Sequence, residues 1–247
     1  MIHIRNLQKS FGEKHVLRGI NLDIPAGKIT VVIGGSGSGK SVFLKHLLGL
    51  IKPDSGSITV DGIELTGLRG RELVEFRKRF GMLFQEAALF DSLSVAENIA
   101  FPMVEHTPWN VAERKRRVRE KLDMVGLGEI EHQFPAELSG GMRKRVGLAR
   151  AIAIDPKIIL YDEPTTGLDP IMSHQVNALI RETNDRLGLT SVVISHDIRG
   201  ALRIADQLVM LHFGAILQAG TPAEILASEN ETIQEFLRYD VRGDHEV

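Results

Sequence analysis

Apolar and polar residues alternate with period two along the start of the chain. Ile2 and Ile4 sit between polar neighbours, and Val16-Leu17 and Ile20-Leu22-Ile24 continue the pattern. Such alternation predicts short half-buried strands, with Gly12 and Pro25-Ala26-Gly27 as turns. The pattern then changes. Ile29-Thr30-Val31-Val32-Ile33 is β-branched throughout, as expected of a strand covered on both faces. Glycines follow at once, and then a helical stretch from Val42 to Leu48. The order is strand, loop, helix.

Further along, the stretch Ser57 to Leu65 alternates around an Asp61-Gly62 turn and predicts a hairpin. Residues 69–79 read as helix and Gly81–Phe84 as a short strand. Residues 92–126 read as mostly helical, with interruptions at Pro102 and Pro108. Another helix is expected over 139–154, stopped by Asp155-Pro156, and one over about 172–187. Strands are expected at 158–162, 191–195, 208–211 and 215–218. Alternation of this kind suggests βαβ units and a largely parallel sheet. Thr221-Pro222-Ala223-Glu224 has the form of a capping box, and the last helix is expected to end near Tyr239, before a polar tail over 239–247. No repeat or low-complexity linker divides the chain, so 1–238 reads as one domain. The mainly helical segment of about 86–155 reads as a subdomain inserted between strands.

Composition narrows the function classes. The chain has 247 residues, 43% apolar and 25% charged, as in an ordinary globular protein that needs no covalent staples. It has no cysteine, which excludes a disulfide scaffold, a zinc finger, a thiol nucleophile and an iron–sulfur site. A net charge of −2 argues against general electrostatic binding of nucleic acid. No apolar run approaches the ~20 residues of a spanning helix, and the start of the chain lacks a signal-peptide pattern. A role at a membrane would therefore run through a partner.

The glycines after Ile33 carry the first chemistry. Gly34-Gly35-Ser36-Gly37-Ser38-Gly39-Lys40-Ser41, followed by Val42, matches the phosphate-loop pattern G-x-x-x-x-G-K-[ST]. Glycines let backbone N–H groups turn inward around phosphate oxygens, and the helix starting near Lys40 adds its positive end. Lys40 can reach β- and γ-phosphates, and the Ser41 hydroxyl can ligate Mg2+. The buried strand before it and the helix after it are the context that this motif needs.

Ile158-Ile159-Leu160-Tyr161-Asp162-Glu163 places two adjacent carboxylates at the end of an apolar strand, where open α/β sheets bind ligands. Adjacent acids there need a cation or a hydrogen-bond network. Asp162 is the candidate for the Mg2+ shell, and Glu163 for the general base that polarises the attacking water.

With these motifs in place, the sequence resembles an ABC-transporter ATPase subunit. Leu138-Ser139-Gly140-Gly141-Met142 resembles the family's LSGGQ signature. Gln85 matches its Q-loop, Gly167-Leu168-Asp169 its D-loop, and Ser195-His196-Asp197 its switch histidine. Phe11 stands where the family places an aromatic on adenine. The resemblance covers residues 1–238. It implies an α/β P-loop NTPase fold of ABC type, with a mostly parallel core sheet, an N-terminal antiparallel β subdomain and an inserted helical subdomain. It further implies a Mg2+-dependent ATPase in which Ser139, Gly140 and Gly141 hold the γ-phosphate of a nucleotide bound to a second copy, so that the working unit is a homodimer. Gln85 would link metal and partner, His196 would donate to the γ-phosphate, and Asp169 would touch the opposite protomer. Met142 departs from the signature glutamine. Methionine lacks the amide's donor and acceptor, so slower or more partner-dependent turnover is expected.

The stretches Ala87 to Ser94 and Phe101 to Thr107, taken with Ser139 to Met142, look like the ATPase of MCE-type (Mla-like) phospholipid transport systems of Gram-negative bacteria. That resemblance implies an integral-membrane permease (MlaE-like), an MCE protein (MlaD-like), a possible STAS-domain protein (MlaB-like), and a peripheral place on the cytoplasmic face of the inner membrane. Leu89, Phe90 and Leu93 are the candidates for the groove that receives the permease. The basic run Arg114 to Arg119, flanked by Glu113 and Glu120, is expected to be a solvated helix face, with no nucleic-acid partner. Two other readings remain open: an importer ATPase for a small polar solute, and a soluble ABC ATPase acting on ribosomes or nucleic acid.

Overall fold

A computed structural model describes residues 1–238, so the expected tail at 239–247 and the helix end near Tyr239 lie outside the described residues. In chain order, β1 (Ile2–Phe11) and β2 (Lys14–Ile24) form a hairpin, and β3 (Ile29–Ile33) leads into α1 (Lys40–Leu47). Next come β4 (Ser55–Val60), β5 (Ile63–Glu64) and α2 (Gly70–Arg77). β6 (Phe80–Leu83), α3 (Val95–His106), α4 (Val111–Met124) and α5 (Gly140–Ala151) follow, then β7 (Ile158–Asp162) and α6 (Pro170–Leu187). The remainder is β8 (Thr190–Ser195), α7 (Ile198–Ile204), β9 (Gln207–His212), β10 (Ala215–Gly220), α8 (Pro222–Leu226) and α9 (Glu231–Leu237). The chain divides into two compact units, one of Met1–Arg77 with the chain from Thr190 onward, the other of Lys78–Leu189.

The first unit holds an antiparallel sheet in the order β2-β1-β4-β5. Its period-two pattern is the burial pattern: Ile2, Ile4, Leu17, Ile20, Leu22 and Ile24 all point into the core. Asp61 and Gly62 both take positive φ, as a two-residue hairpin turn requires. In the same unit β3 pairs in parallel with β8 on one side and β9 on the other, and β10 closes antiparallel on β9. All five residues of β3 are buried, which explains why the strand lacks alternation. Each fully buried Ile or Val of this kind contributes about 1.5–3 kcal/mol by leaving water.

In the second unit β6 and β7 pair in parallel, with Leu83 opposite Tyr161. Helices α3, α4 and α5 pack together beside them. α3 runs unbroken through Pro102, contrary to the expected interruption there, while the chain does leave helix around Pro108. An interior proline costs about 3 kcal/mol. The buried face Val95, Ile99 and Met103 offsets that cost, and a capping box between Ser94 and Glu97 starts the helix firmly. Buried Asn98 ties the preceding loop down: its Nδ2 donates to the carbonyls of Phe90, Leu93 and Ser94, and its Oδ1 accepts from the Phe90 amide. On α4 the basic run is largely internally paired. Arg116 meets Glu113 and Glu120, and Arg117 meets Glu113 and Asp155. Those two guanidiniums hold the Glu113 carboxyl down to about 2.

Candidate nucleotide site

Each unit presents chemistry at the carboxyl ends of its parallel strands, where ligands of open α/β sheets bind. In the first unit Ile33 on β3 is opposite Ser195 on β8. Gly34 and His196 therefore leave two adjacent strands at the same level. The loop from Gly34 to Gly39 turns back into α1, whose first residue is Lys40. Gly34 has φ +153°, and a Cβ there would lie 2.0 Å from the carbonyl oxygen of Leu211, so no other residue fits. Gly39 takes φ 108° as the N-cap of α1, leaving that helix start without a side-chain cap. No side chain competes at this cap with an anion for the N-terminal amides.

Lys40 is buried within this loop. Its Nζ donates to the carbonyl oxygens of Gly34 at 2.7 Å and Gly35 at 3.0 Å. Gly35, Ser36 and Gly37 are exposed at the loop's outer edge, and Ser38 is buried. Ser41 is exposed at the first turn of α1. Val42, the next residue, gives its carbonyl oxygen to Nδ1 of His46 at 2.7 Å. His196 is exposed, and Asp197 after it caps α7 through Gly200. Phe11 ends β1 with its ring about half exposed, and the Lys9 ammonium lies 5.4 Å from the ring centroid.

In the second unit the Leu83–Tyr161 pairing sets two exits side by side: Phe84-Gln85 from β6 and Asp162-Glu163 from β7. Gln85 is exposed, and its backbone carbonyl accepts from the Lys144 ammonium. Glu163 has φ 48°, the left-handed region that costs a non-glycine residue about 1–2 kcal/mol. Thr166 Oγ1 donates to its Oε2 at 2.9 Å. Ser139 is exposed and caps α5, its Oγ accepting from the Met142 amide at 3.2 Å. Gly140 and Gly141 form the first turn, and the Met172 side chain fills the space where a Gly141 Cβ would stand. Asp169 is exposed and caps α6, with Oδ1 accepting from Ile171 and Met172, each at 2.9 Å. Phe90 is exposed, its ring 4.8 Å from that of Phe101, with Leu89 and Leu93 half-buried beside it.

The structure thus sets Gly34–Ser41 with His196 in one unit, and Gln85 with Asp162 and Glu163 in the other. Sequence reading missed Thr166 and Lys144, which touch Glu163 and Gln85, and Arg150, which donates to the carbonyls of Ala87 and Ala88 just after Gln85. Among the described residues no group of three or more His, Asp or Glu side chains forms a metal cluster. The Asp162 carboxylate and the Ser41 hydroxyl are hard oxygen donors. Donors of this kind suit Mg2+, which binds through one or two protein oxygens, water and substrate phosphates.

A family profile described as ABC transporter matches residues 17–166, well over half of the chain. The chain belongs to the ABC transporter family. Its α/β fold is that family's ATPase fold. It has a TM-score of 0.82 and 33% identity to the dimeric ATP-binding cassette MJ0796 in a post-hydrolysis state with ADP and Pi, covering 90% of this chain and 99% of that one. Among curated relatives of this ABC ATPase, the probable ribonucleotide transport ATP-binding protein mkl of Mycobacterium leprae is 44% identical over 236 residues. That match covers 96% of this chain and 68% of the relative. The intermembrane phospholipid transport system ATP-binding protein MlaF of Haemophilus influenzae is 42% identical over 245 residues, covering 98% of this chain and 92% of the relative. The methionine import ATP-binding protein MetN of Carboxydothermus hydrogenoformans is 41% identical over 228 residues, covering 91% and 67%. No helix among the described residues is long and apolar enough to cross a membrane.

Proposed function

We propose that this ABC ATPase hydrolyses ATP to drive phospholipid transport between membranes through a permease partner. One observation carries the phospholipid reading. The similarity to the Haemophilus influenzae MlaF protein runs almost end to end in both chains. The mycobacterial and methionine-import relatives each extend well beyond the matched segment.

The chemistry follows from residue types. The amides of Gly35 to Lys40 surround the phosphates, and Lys40 exchanges its two carbonyl partners for β- and γ-phosphate oxygens. The Ser41 hydroxyl and the Asp162 carboxylate, with Gln85, would hold Mg2+, which when bound neutralises phosphate charge. Glu163 accepts a proton from the water that attacks the γ-phosphorus, and ADP leaves on the opposite side. His196 donates to the γ-phosphate, which offsets the charge that develops there. Phe11 stacks on adenine. Ser139, Gly140 and Gly141 of a second copy supply helix-start amides to the same γ-phosphate, and Asp169 faces the opposite protomer. The subunit binds peripherally at the cytoplasmic face of the inner membrane, and the permease (MlaE-like) docks at Leu89, Phe90 and Leu93. An MCE protein (MlaD-like) completes the assembly, with or without a STAS-domain protein (MlaB-like).

Purification of the chain from its native membrane, with identification of retained proteins and lipids, tests this reading. Bound phospholipid with an integral permease is expected. A permease that brings a soluble solute-binding protein and no phospholipid would favour the importer, to which the methionine-import relative lends support.

A further inference from the structure

We propose that Lys144 and Arg150 of α5 are positioning residues that tie the signature segment Ser139-Gly140-Gly141 to the Gln85 loop. This rests on the reading above that both segments act on nucleotide. α5 begins at the signature and then lies along residues 84–90. The Lys144 ammonium donates to the carbonyl oxygen of Gln85. Further along the same helix the Arg150 guanidinium forks onto two more carbonyls, Ala87 at 2.6 Å and Ala88 at 2.8 Å. Three backbone carbonyls of one short loop are thus held by two cations of one helix.

The loop is shaped for that grip. Ala87 and Ala88 both take left-handed φ, 58° and 47°. Consecutive non-glycine residues persist in that region only where their surroundings over-determine them. Between the two cations, a Cβ at Gly147 would lie 2.7 Å from Leu83 Cδ1 and 3.1 Å from Ala87 Cβ. The helix therefore sits on the loop with no slack, and a rigid shift of α5 carries the carbonyls with it.

The cations are also a poor choice for stability alone. Lys144 is 6% exposed, and burial lowers its pKa, opposed by the negative charges of Glu86 and Glu163. Burial lowers that of Arg150 as well. Charges buried against neutral carbonyls generally contribute less to folding than apolar side chains of similar volume. Their return is directional: hydrogen bonds to charged donors are short and geometrically selective. The proposed general base, Glu163, is one of the two carboxylates whose charge acts on the same ammonium.

The test uses the full chain as wild type, Lys144→Met, Lys144→Arg and Arg150→Lys. The first readout is amide hydrogen exchange without ligand. The Ala87 amide donates to the Phe84 carbonyl at 2.9 Å and reports on the loop. In Lys144→Met its exchange should quicken about tenfold or more, while the β3 amides keep their protection. The second readout separates binding from turnover. ATP affinity by calorimetry should stay within about threefold while kcat falls about tenfold or more. Lys144→Arg, which keeps a cationic donor, should recover most of both losses. Should Lys144→Met fail to fold, Arg150→Lys carries the same readings, because a lysine lacks the rigid pair of guanidinium nitrogens that meets the Ala87 and Ala88 carbonyls one by one. Ala87 exchange at the wild-type rate in the folded variant, or kcat unchanged beside quickened exchange, would overturn the proposal. A wild-type chain that binds no ATP would instead overturn the ATPase reading, and the exchange result would still decide whether these side chains set the loop.

Discussion

The hydroxyl of Thr166 lies 2.9 Å from a carboxylate oxygen of Glu163, and the Thr166 amide also donates to the Glu163 carbonyl at 3.2 Å. The proposed general base is therefore held in a left-handed turn by both the side chain and the backbone of the same residue. A hydrogen bond to a charged group contributes about 1.5–3 kcal/mol, enough to fix one carboxylate rotamer. Thr166→Ala is expected to lower kcat about tenfold, equivalent to ~1.4 kcal/mol of barrier, with little change in ATP affinity. Thr166→Ser should restore most of the rate. Phosphate release at saturating ATP measures both, and equal rates in all three proteins would remove Thr166 from the account.

The phosphate loop separates chemistry from folding. Lys40→Met removes the donor to the Gly34 and Gly35 carbonyls, so stability should change by less than about 2 kcal/mol while ATP affinity drops at least ~10-fold. Gly34→Ala places a methyl 2.0 Å from the Leu211 carbonyl oxygen and should destabilise the fold outright, by about 2–4 kcal/mol. Urea unfolding beside calorimetric titration distinguishes them: Lys40→Met loses affinity first, Gly34→Ala loses stability first.

How far the chain's own pattern announced this arrangement depends on range. The strand–loop–helix around Lys40 and the acidic end of β7 were legible because motif and context lie within a few consecutive residues. The hairpin at Asp61-Gly62 was legible for the same reason. Pro102 misled because a local rule met a tertiary one: the buried faces of Ile99 and Met103 outweigh one missing hydrogen bond. The start of α3 was in fact written in the Ser94-Val95-Ala96-Glu97 spacing and went unread. α7 also went unread, since seven residues after His196 carry too little periodicity. Lys144, Arg150 and Thr166 left no local signal at all. Lys144 meets Gln85 across 59 positions, and only the folded packing of α5 against β6 reveals the contact.

His46 gives the fold a pH dependence. It is buried, with Nδ1 bonded to the Val42 carbonyl, and burial is the main cause that lowers its pKa below the usual 6.5. Below pH 6.5 the unfolded chain therefore takes up this proton before the folded chain does. Stability that is fully present above 6.5 is lost as pH falls towards the folded value. Urea midpoints at pH 7.5 and 5.5 should fall with pH in wild type, and the fall should shrink in His46→Gln. An equal fall in both would assign the effect to other groups.

The central claim is that two copies close on ATP and that Glu163 performs the hydrolysis. Light scattering of Glu163→Gln with and without Mg-ATP tests it most directly. A mass that doubles on adding ATP and persists, with almost no phosphate released, is the predicted result. A mass that stays monomeric at saturating ATP, or phosphate release at the wild-type rate, would contradict it.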